Sequence, residues 1–143
     1  IGHAWHLAYS PEHHGSSLST LYRNLSDLEG PGVLIRRFVP RQVFGAFVSH
    51  PFHFSDHFYG TGETFLFTFT PEFQVYPWTG ENTFYIWGSK DAIAVGGGGG
   101  VFGLWLDSDL YHGASNRCVT FNNDPLSGHK DFLVLDLEFW NIQ

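Results

Sequence analysis

Only one stretch of this 143-residue chain keeps a helical period. Between Ser16 and Leu25, the residues Leu18, Leu21, Tyr22 and Leu25 recur at i, i+3, i+4 and i+7, with Ser16 or Ser17 placed as the N-cap. Gly30-Pro31-Gly32 then ends the segment. The other apolar runs are short, and most alternate with a period of two between Gly, Pro or polar clusters, the pattern of half-buried strands. A chain so patterned is largely confined to an antiparallel assembly of short strands.

The strands read from the N-terminus as Gly2 to Tyr9, then Val33 to Val39 and Gln42 to Ser49 as an antiparallel pair around Pro40-Arg41. Gly45 sits inside the second of these, where a glycine weakens a strand unless a bulge or a close neighbour requires it. In Glu63 to Thr70, Phe65, Phe67 and Phe69 share one face and Thr64, Leu66 and Thr68 the other. Phe73 to Trp78 and Thr83 to Trp87 flank Thr79-Gly80-Glu81-Asn82, which has hairpin-turn chemistry. Ala92 to Val95, Val101 to Leu106 and Arg117 to Phe121 follow. Phe132 to Trp140 closes the series, with Leu133, Leu135, Leu137 and Phe139 facing one way and Asp136 and Glu138 the other. About eight or nine short strands and one early helix predict a single, mainly β domain built as an antiparallel sandwich.

Composition agrees and excludes several functions. Aromatic residues make up 18%, which suits pleated, half-buried surfaces, and charged residues only 15%, too few for a disordered chain. A net charge of -7 leaves no basic footprint for nucleic acid beyond the small Arg36, Arg37 and Arg41 group. No apolar run approaches the ~18 residues that span a membrane. The single cysteine, Cys118, rules out an intrachain disulfide and points to a reducing, intracellular compartment. A chain opening on Ile1 and directly on strand-like residues reads as a domain excised from a longer protein.

The five glycines Gly96, Gly97, Gly98, Gly99 and Gly100 lead straight into Val101, Phe102, Leu104, Trp105 and Leu106. Glycine is the costliest residue to order, so the run calls for something packed closely against bare backbone. A phosphate loop would need a Lys, a Ser or Thr and a following helix, and a strand-like segment follows instead. A side-chain-free crossing, open to a strand or a partner, is the expectation.

Other candidates are weaker. Gly60-Thr61-Gly62-Glu63-Thr64 precedes a strand rather than following one, so no helix N-terminus waits for a pyrophosphate. The segment reads as a turn, with Glu63 a candidate buried acceptor for loop amides. His50, His53 and His57 with Asp56, and the His13-His14 pair, supply zinc-type donors without a fixed signature, and solvent-facing histidines are the expectation. Asp107, Asp109, His112 and Ser115 hold the residue types for acid/base or triad chemistry, but no nucleophile elbow accompanies them. They read more simply as a polar loop whose aspartates bond nearby amides. Cys118 follows Arg117, which can lower a thiol pKa; the commoner fate is a small buried hydrophobe.

Taken together, the stretches HGSSLSTLYR (His14 to Arg23), VFGAF (Val43 to Phe47), FYGTGETFLFTF (Phe58 to Phe69) and WTGEN (Trp78 to Asn82) resemble a TLDc domain, as do the Gly96 to Phe121 block and Glu138-Phe139-Trp140. This module is shared by the oxidation-resistance and nuclear-receptor-coactivator-like proteins. The resemblance implies a β-sandwich of two antiparallel sheets flanked by short helices, in a domain lacking the family's N-terminal helical lead-in. It also implies protection against oxidative damage, no established catalytic mechanism, no cofactor, and binding to the vacuolar-type proton-pumping ATPase. Two readings follow: a monomeric interaction module docking through its glycine-rich face, or an enzyme or peroxide scavenger using Cys118 or the Asp107/Asp109/His112 loop.

Overall fold

A computed structural model describes residues 4–38, 42–69 and 72–143. Two antiparallel sheets form the body. The first has six strands: β1 (Trp5–Tyr9), β2 (Gly32–Phe38), β3 (Gln42–Val48), β4 (Phe65–Thr68), β5 (Gln74–Tyr76) and β11 (Asp136–Ile142), in the order β1-β11-β2-β3-β4-β5. The second has five: β6 (Ile86–Gly88), β7 (Ala92–Val95), β8 (Leu104–Asp107), β9 (His112–Ala114) and β10 (Asp131–Leu133), in the order β10-β9-β8-β7-β6. Two short helices, α1 (Pro11–His14) and α2 (Leu18–Leu25), lie between β1 and β2 in sequence. The expected mainly β sandwich with short flanking helices is the fold found.

Helix α2 forms where the period placed it. The Ser17 hydroxyl accepts from the Thr20 amide at 3.2 Å as N-cap, and Leu18, Leu21 and Leu25 are buried. Helix α1 follows β1 at once: Ser10 is still extended, and Pro11 stands at the first helical position, where its missing N–H costs nothing.

One buried cluster joins the two sheets. From the first it takes Tyr9, Leu34, Phe44, Ala46, Val48, Leu66, Leu137 and Phe139, and from the second Ile86, Ile93, Val95, Leu104 and Leu106. Phe44 of β3 meets Phe132 of β10 edge-on, ring centroids 4.9 Å apart. Thr64, just before β4, and Leu66 and Thr68 within it share one buried face, and the phenylalanines share the other, where Phe67 is also buried. Phe47, Phe65, Phe67, Phe69 and Phe73 form a continuous ladder of ring contacts there, and Phe69 and Phe73 are exposed. Thr64 is tolerated inside because its hydroxyl accepts from the Ser49 amide at 3.2 Å. Gly45 has the close neighbour its position requires: a Cβ there would run into the Leu34 carbonyl of β2.

Several expected elements change. Phe73 to Trp78 and Thr83 to Trp87 are not a hairpin. β5 pairs with β4 in the first sheet, and β6 pairs with β7 in the second, so Trp78 to Tyr85 crosses between sheets. Arg117 to Phe121 is loop and turn, and the short strand before it is His112 to Ala114. The closing segment splits at Val134-Leu135: β10 pairs with β9, β11 pairs with β1 and β2, and Leu135 takes a φ of 48° where the chain changes sheets. Leu133 and Leu135 are therefore exposed, and only Leu137 and Phe139 of the expected apolar row are buried. The Pro40-Arg41 turn and the residues Gly2, His3, Val39 and Thr70 lie outside the described residues.

The basic group dissolves as well. Arg36 points into the core, its guanidinium lying beside the touching Phe44 and Phe132 rings at 5.2 and 5.3 Å from their centroids, and donates to the Leu133 carbonyl (3.1 and 2.6 Å) and to Gln42 (3.1 Å). Burial lowers its pKa. Arg37 pairs with Glu138 across β2 and β11.

Candidate functional site

Strand β8 separates the two stretches that drew attention in the sequence. At its start lies the glycine run, and at its end the Asp107 to His112 loop.

The glycine run closes the β7–β8 connection rather than crossing between layers. Gly96 donates to the Tyr85 carbonyl at 2.9 Å, and Gly103 donates back to the Gly96 carbonyl at 3.1 Å. Gly96, Gly98, Gly99 and Gly100 all have positive φ, between 71° and 103°, where a side chain is strained. Space divides the run in two. A Cβ on Gly96 would meet Phe121 at 2.7 Å and the Cys118 sulfur at 2.8 Å; one on Gly98 would meet Val119 at 2.8 Å. Gly97 lies against Phe58 and Phe84. At Gly99 and Gly100 nothing comes within 4 Å. The first three glycines are packed against their own protein, and the last two face solvent. The amides of Gly98, Gly99 and Gly100 have no acceptor among the described residues.

Two further loops brace this end. The Thr120 hydroxyl, fully buried, accepts from the Gly97 amide (2.9 Å) and donates to Asn82 Oδ1 (2.8 Å). Thr79 donates from its amide to the Thr120 carbonyl (2.9 Å) and from its hydroxyl to the Val119 carbonyl (2.9 Å). Asn82 donates to the Gly97 carbonyl at 3.3 Å. Trp78 donates to the Asn82 carbonyl at 2.6 Å and lies over Gly62, where a Cβ would meet its ring. Trp78, Phe84 and Val119 remain exposed around this frame. Thr79, Glu81, Val119 and Asn122 line a shallow groove of about 500 Å³. Thr120, Thr79 and Asn82 were not singled out as site residues from the sequence, because nothing in a lone threonine beside apolar residues marks a junction of three loops.

The other end is self-contained. Asp107 Oδ1 accepts from the Tyr111 amide (2.9 Å) and the His112 amide (3.2 Å), and Oδ2 lies 3.3 Å from His112 Nδ1. Leu110 turns the loop with a φ of 53° while burying its side chain. Asp109 enters through its carbonyl, which accepts from the Ser16 hydroxyl at 2.8 Å; the Ser108 carbonyl accepts from the Leu18 amide. The loop thus docks the start of α2. Ser115 does not join Asp107 and His112: fully buried, its hydroxyl donates to the Gly103 carbonyl and accepts from the Leu126 amide. Asp107 and His112 adjoin as an acid–base pair, but the serine is held away from them.

The remaining candidates disperse. Cys118 is buried, and its thiol donates to Asn123 Oδ1 at 3.3 Å. Burial pushes its pKa up, while Arg117 is turned toward Asp124 and the Asn123 carbonyl. The activating geometry for a reactive thiol is therefore not formed. Glu63 is exposed, correcting its expected role as a buried acceptor. Its carboxylate accepts only a long bond from Thr61, and Ser49 takes over the bracing of this turn by accepting from the Thr61 amide at 2.9 Å. Gly60 turns there with a φ of 100°, against Ile86 and Ser49. His50, His53 and His57 each have a separate partner, in Ser49, the Phe54 carbonyl and Asp56. Among the described residues no three His, Cys, Asp or Glu side chains gather as a metal ion requires. Nor is any described helix long and apolar enough to cross a membrane.

Comparison with known proteins agrees with this frame. The family model of the TLDc domain matches residues 1–143. Nuclear receptor coactivator 7 from Homo sapiens is 58% identical over 139 residues, 97% of this chain and 15% of its own length. The Gallus gallus protein of the same name is 56% identical over 142 residues, 99% of this chain and 16% of its own. Oxidation resistance protein 1 from Xenopus tropicalis is 56% identical over 140 residues, 98% of this chain and 16% of its own. The chain thus spans about a sixth of the length of the curated relatives it matches. On the strength of that whole-chain match, the chain belongs to the TLDc domain family.

Proposed function

We propose that this domain is a non-catalytic protein-interaction module that contributes to protection against oxidative stress, docking through its glycine end on the vacuolar-type proton-pumping ATPase. The oxidative role is supported by the relatives named for oxidation resistance. The docking role rests on one observation: Gly99 and Gly100 present open, unpartnered backbone on a hydrogen-bonded frame, with exposed Phe84 and Val119 against the preceding Gly97 and Gly98 and exposed Trp78 on the bracing loop. Aromatic anchors around accessible backbone are features of an interface. The acidic net charge favours a basic partner surface. The competing reading, peroxide scavenging by Cys118, is disfavoured by the buried thiol and its raised pKa.

The test is capture of the pump's cytosolic subunits by the purified domain, beside Val119→Asp and Gly99→Ala variants with verified fold. Binding that both variants leave intact would remove the glycine end from the interface. Full peroxide protection is expected in cells that carry a Cys118→Ser variant in place of the wild type; its loss would favour scavenging. Gly45→Val and Gly96→Val do not serve here, because both collide with the protein's own atoms.

A further inference from the structure

We propose that Thr120 is the positioning residue of the docking edge: its single buried hydroxyl sets the shape in which Gly98, Gly99 and Gly100 are presented to a partner. The inference rests on the docking role given to this end.

Three loops that share no strand pairing meet at this hydroxyl. It accepts from the Gly97 amide at 2.9 Å and donates to Asn82 Oδ1 at 2.8 Å, with the Gly97 and Phe84 carbonyls at 3.1 and 3.3 Å. The Thr120 amide adds a bond to the Gly97 carbonyl at 3.3 Å, and its carbonyl receives both the amide and the hydroxyl of Thr79. Asn82, so oriented, accepts from the Phe84 amide with the same Oδ1 and donates to the Gly97 carbonyl. The residue touches neither of the two exposed glycines. It acts on them through Gly97, two residues before the chain turns out to solvent at Gly99. Glycine loops lose more entropy on ordering than any other backbone. One that is ordered in advance binds with less of that cost left to meet. Hydroxyl removal leaves the buried Gly97 amide without its side-chain acceptor and takes from Asn82 Oδ1 one of its two donors, the Phe84 amide being the other, which frees the loop to seek other arrangements. Thr120→Val keeps the volume and removes the hydroxyl; Thr120→Ser keeps the hydroxyl.

The experiment is backbone ¹⁵N relaxation on wild type, Thr120→Val and Thr120→Ser, with hydrogen exchange at Ile93 to Val95 of β7 as the fold check. Order parameters at Gly98 to Gly100 are expected near the rigid value of about 0.85 in wild type and Thr120→Ser, falling below about 0.6 in Thr120→Val while β7 stays protected. Capture of the pump subunits should weaken about tenfold in Thr120→Val and recover in Thr120→Ser. If Thr120→Val does not fold, Asn82→Ala, at a partly exposed position, removes the second arm of the same junction and should give the same loosening. Unchanged order parameters in the valine variant, or glycines already mobile in wild type, overturn the proposal. Should wild type capture no pump subunit, the partner assignment fails by itself, and the order parameters still decide what Thr120 does.

Discussion

The two ends of β8 are built on opposite plans. The Asp107 to His112 loop is folded by its own carboxylate, which collects the amides of Tyr111 and His112, and it then seats the first turn of α2. The Asp107 carboxylate is thus turned onto the loop's own backbone. The glycine loop is held from outside by Thr120 and Asn82, and its own last amides are left unused. A loop that satisfies itself is finished structure. A loop that is satisfied by its neighbours at the base, and left open at the tip, has capacity for a partner. That contrast, rather than the residue types, distinguishes them, since the Asp107 loop holds the residues that look more like chemistry.

The contrast can be broken by substitution. The largest effect is expected inside the glycine run itself: Gly96→Val meets Phe121 and the Cys118 sulfur at a φ of 86° and should cost about 3–5 kcal/mol, read as lost soluble protein or a collapsed denaturation midpoint. Gly99→Ala, three residues on, should cost only about 1 kcal/mol, because the positive φ is its sole penalty. Equal losses at the two positions would erase the division into packed and open halves. Asp107→Ala removes a carboxylate serving two amides and should cost about 1–2 kcal/mol in chemical denaturation while leaving partner capture unchanged. Weakened capture would place that loop in the interface.

Alkaline pH gives a gentler probe of the glycine side. Tyr59 bridges to Ile86, and its phenol exchanges hydrogen bonds with His53; burial pushes its pKa up to about 12 from 10.0. Folding therefore favours the neutral phenol, so this contribution is whole below pH 10 and is lost as pH rises from 10 through 12. Melting followed across that range should fall more steeply in wild type than in Tyr59→Phe. The smallest effect belongs to the sheet-changing step: Leu135→Gly relieves a positive φ at an exposed side chain and should stabilise by about 0.5 kcal/mol.

Much of the fold was legible in the chain, and the failures share a cause. The α2 period, the β2–β3 pair and the need for a close neighbour at Gly45 all follow from local pattern. Phe132 to Trp140 did not, because alternation has the same appearance in one strand or in two strands of different sheets; the positive φ at Leu135 that separates them belongs to no residue preference for leucine. Likewise Thr79-Gly80-Glu81-Asn82 has hairpin chemistry but spans from one sheet to the other. Arg36 reads as part of a small basic group and is instead a buried cation beside two core rings. At the site, the glycine run marked itself, whereas Thr120 gains its role only from three loops that meet in space.

The central claim, that the glycine end docks and the Asp107 end does not, is tested most directly by the affinity of the pump's cytosolic subunits for Val119→Asp and for Asp107→Ala, measured side by side on folded domain. The account predicts at least tenfold weakening for Val119→Asp and an unchanged constant for Asp107→Ala. The reverse order, or two unchanged constants, would contradict it.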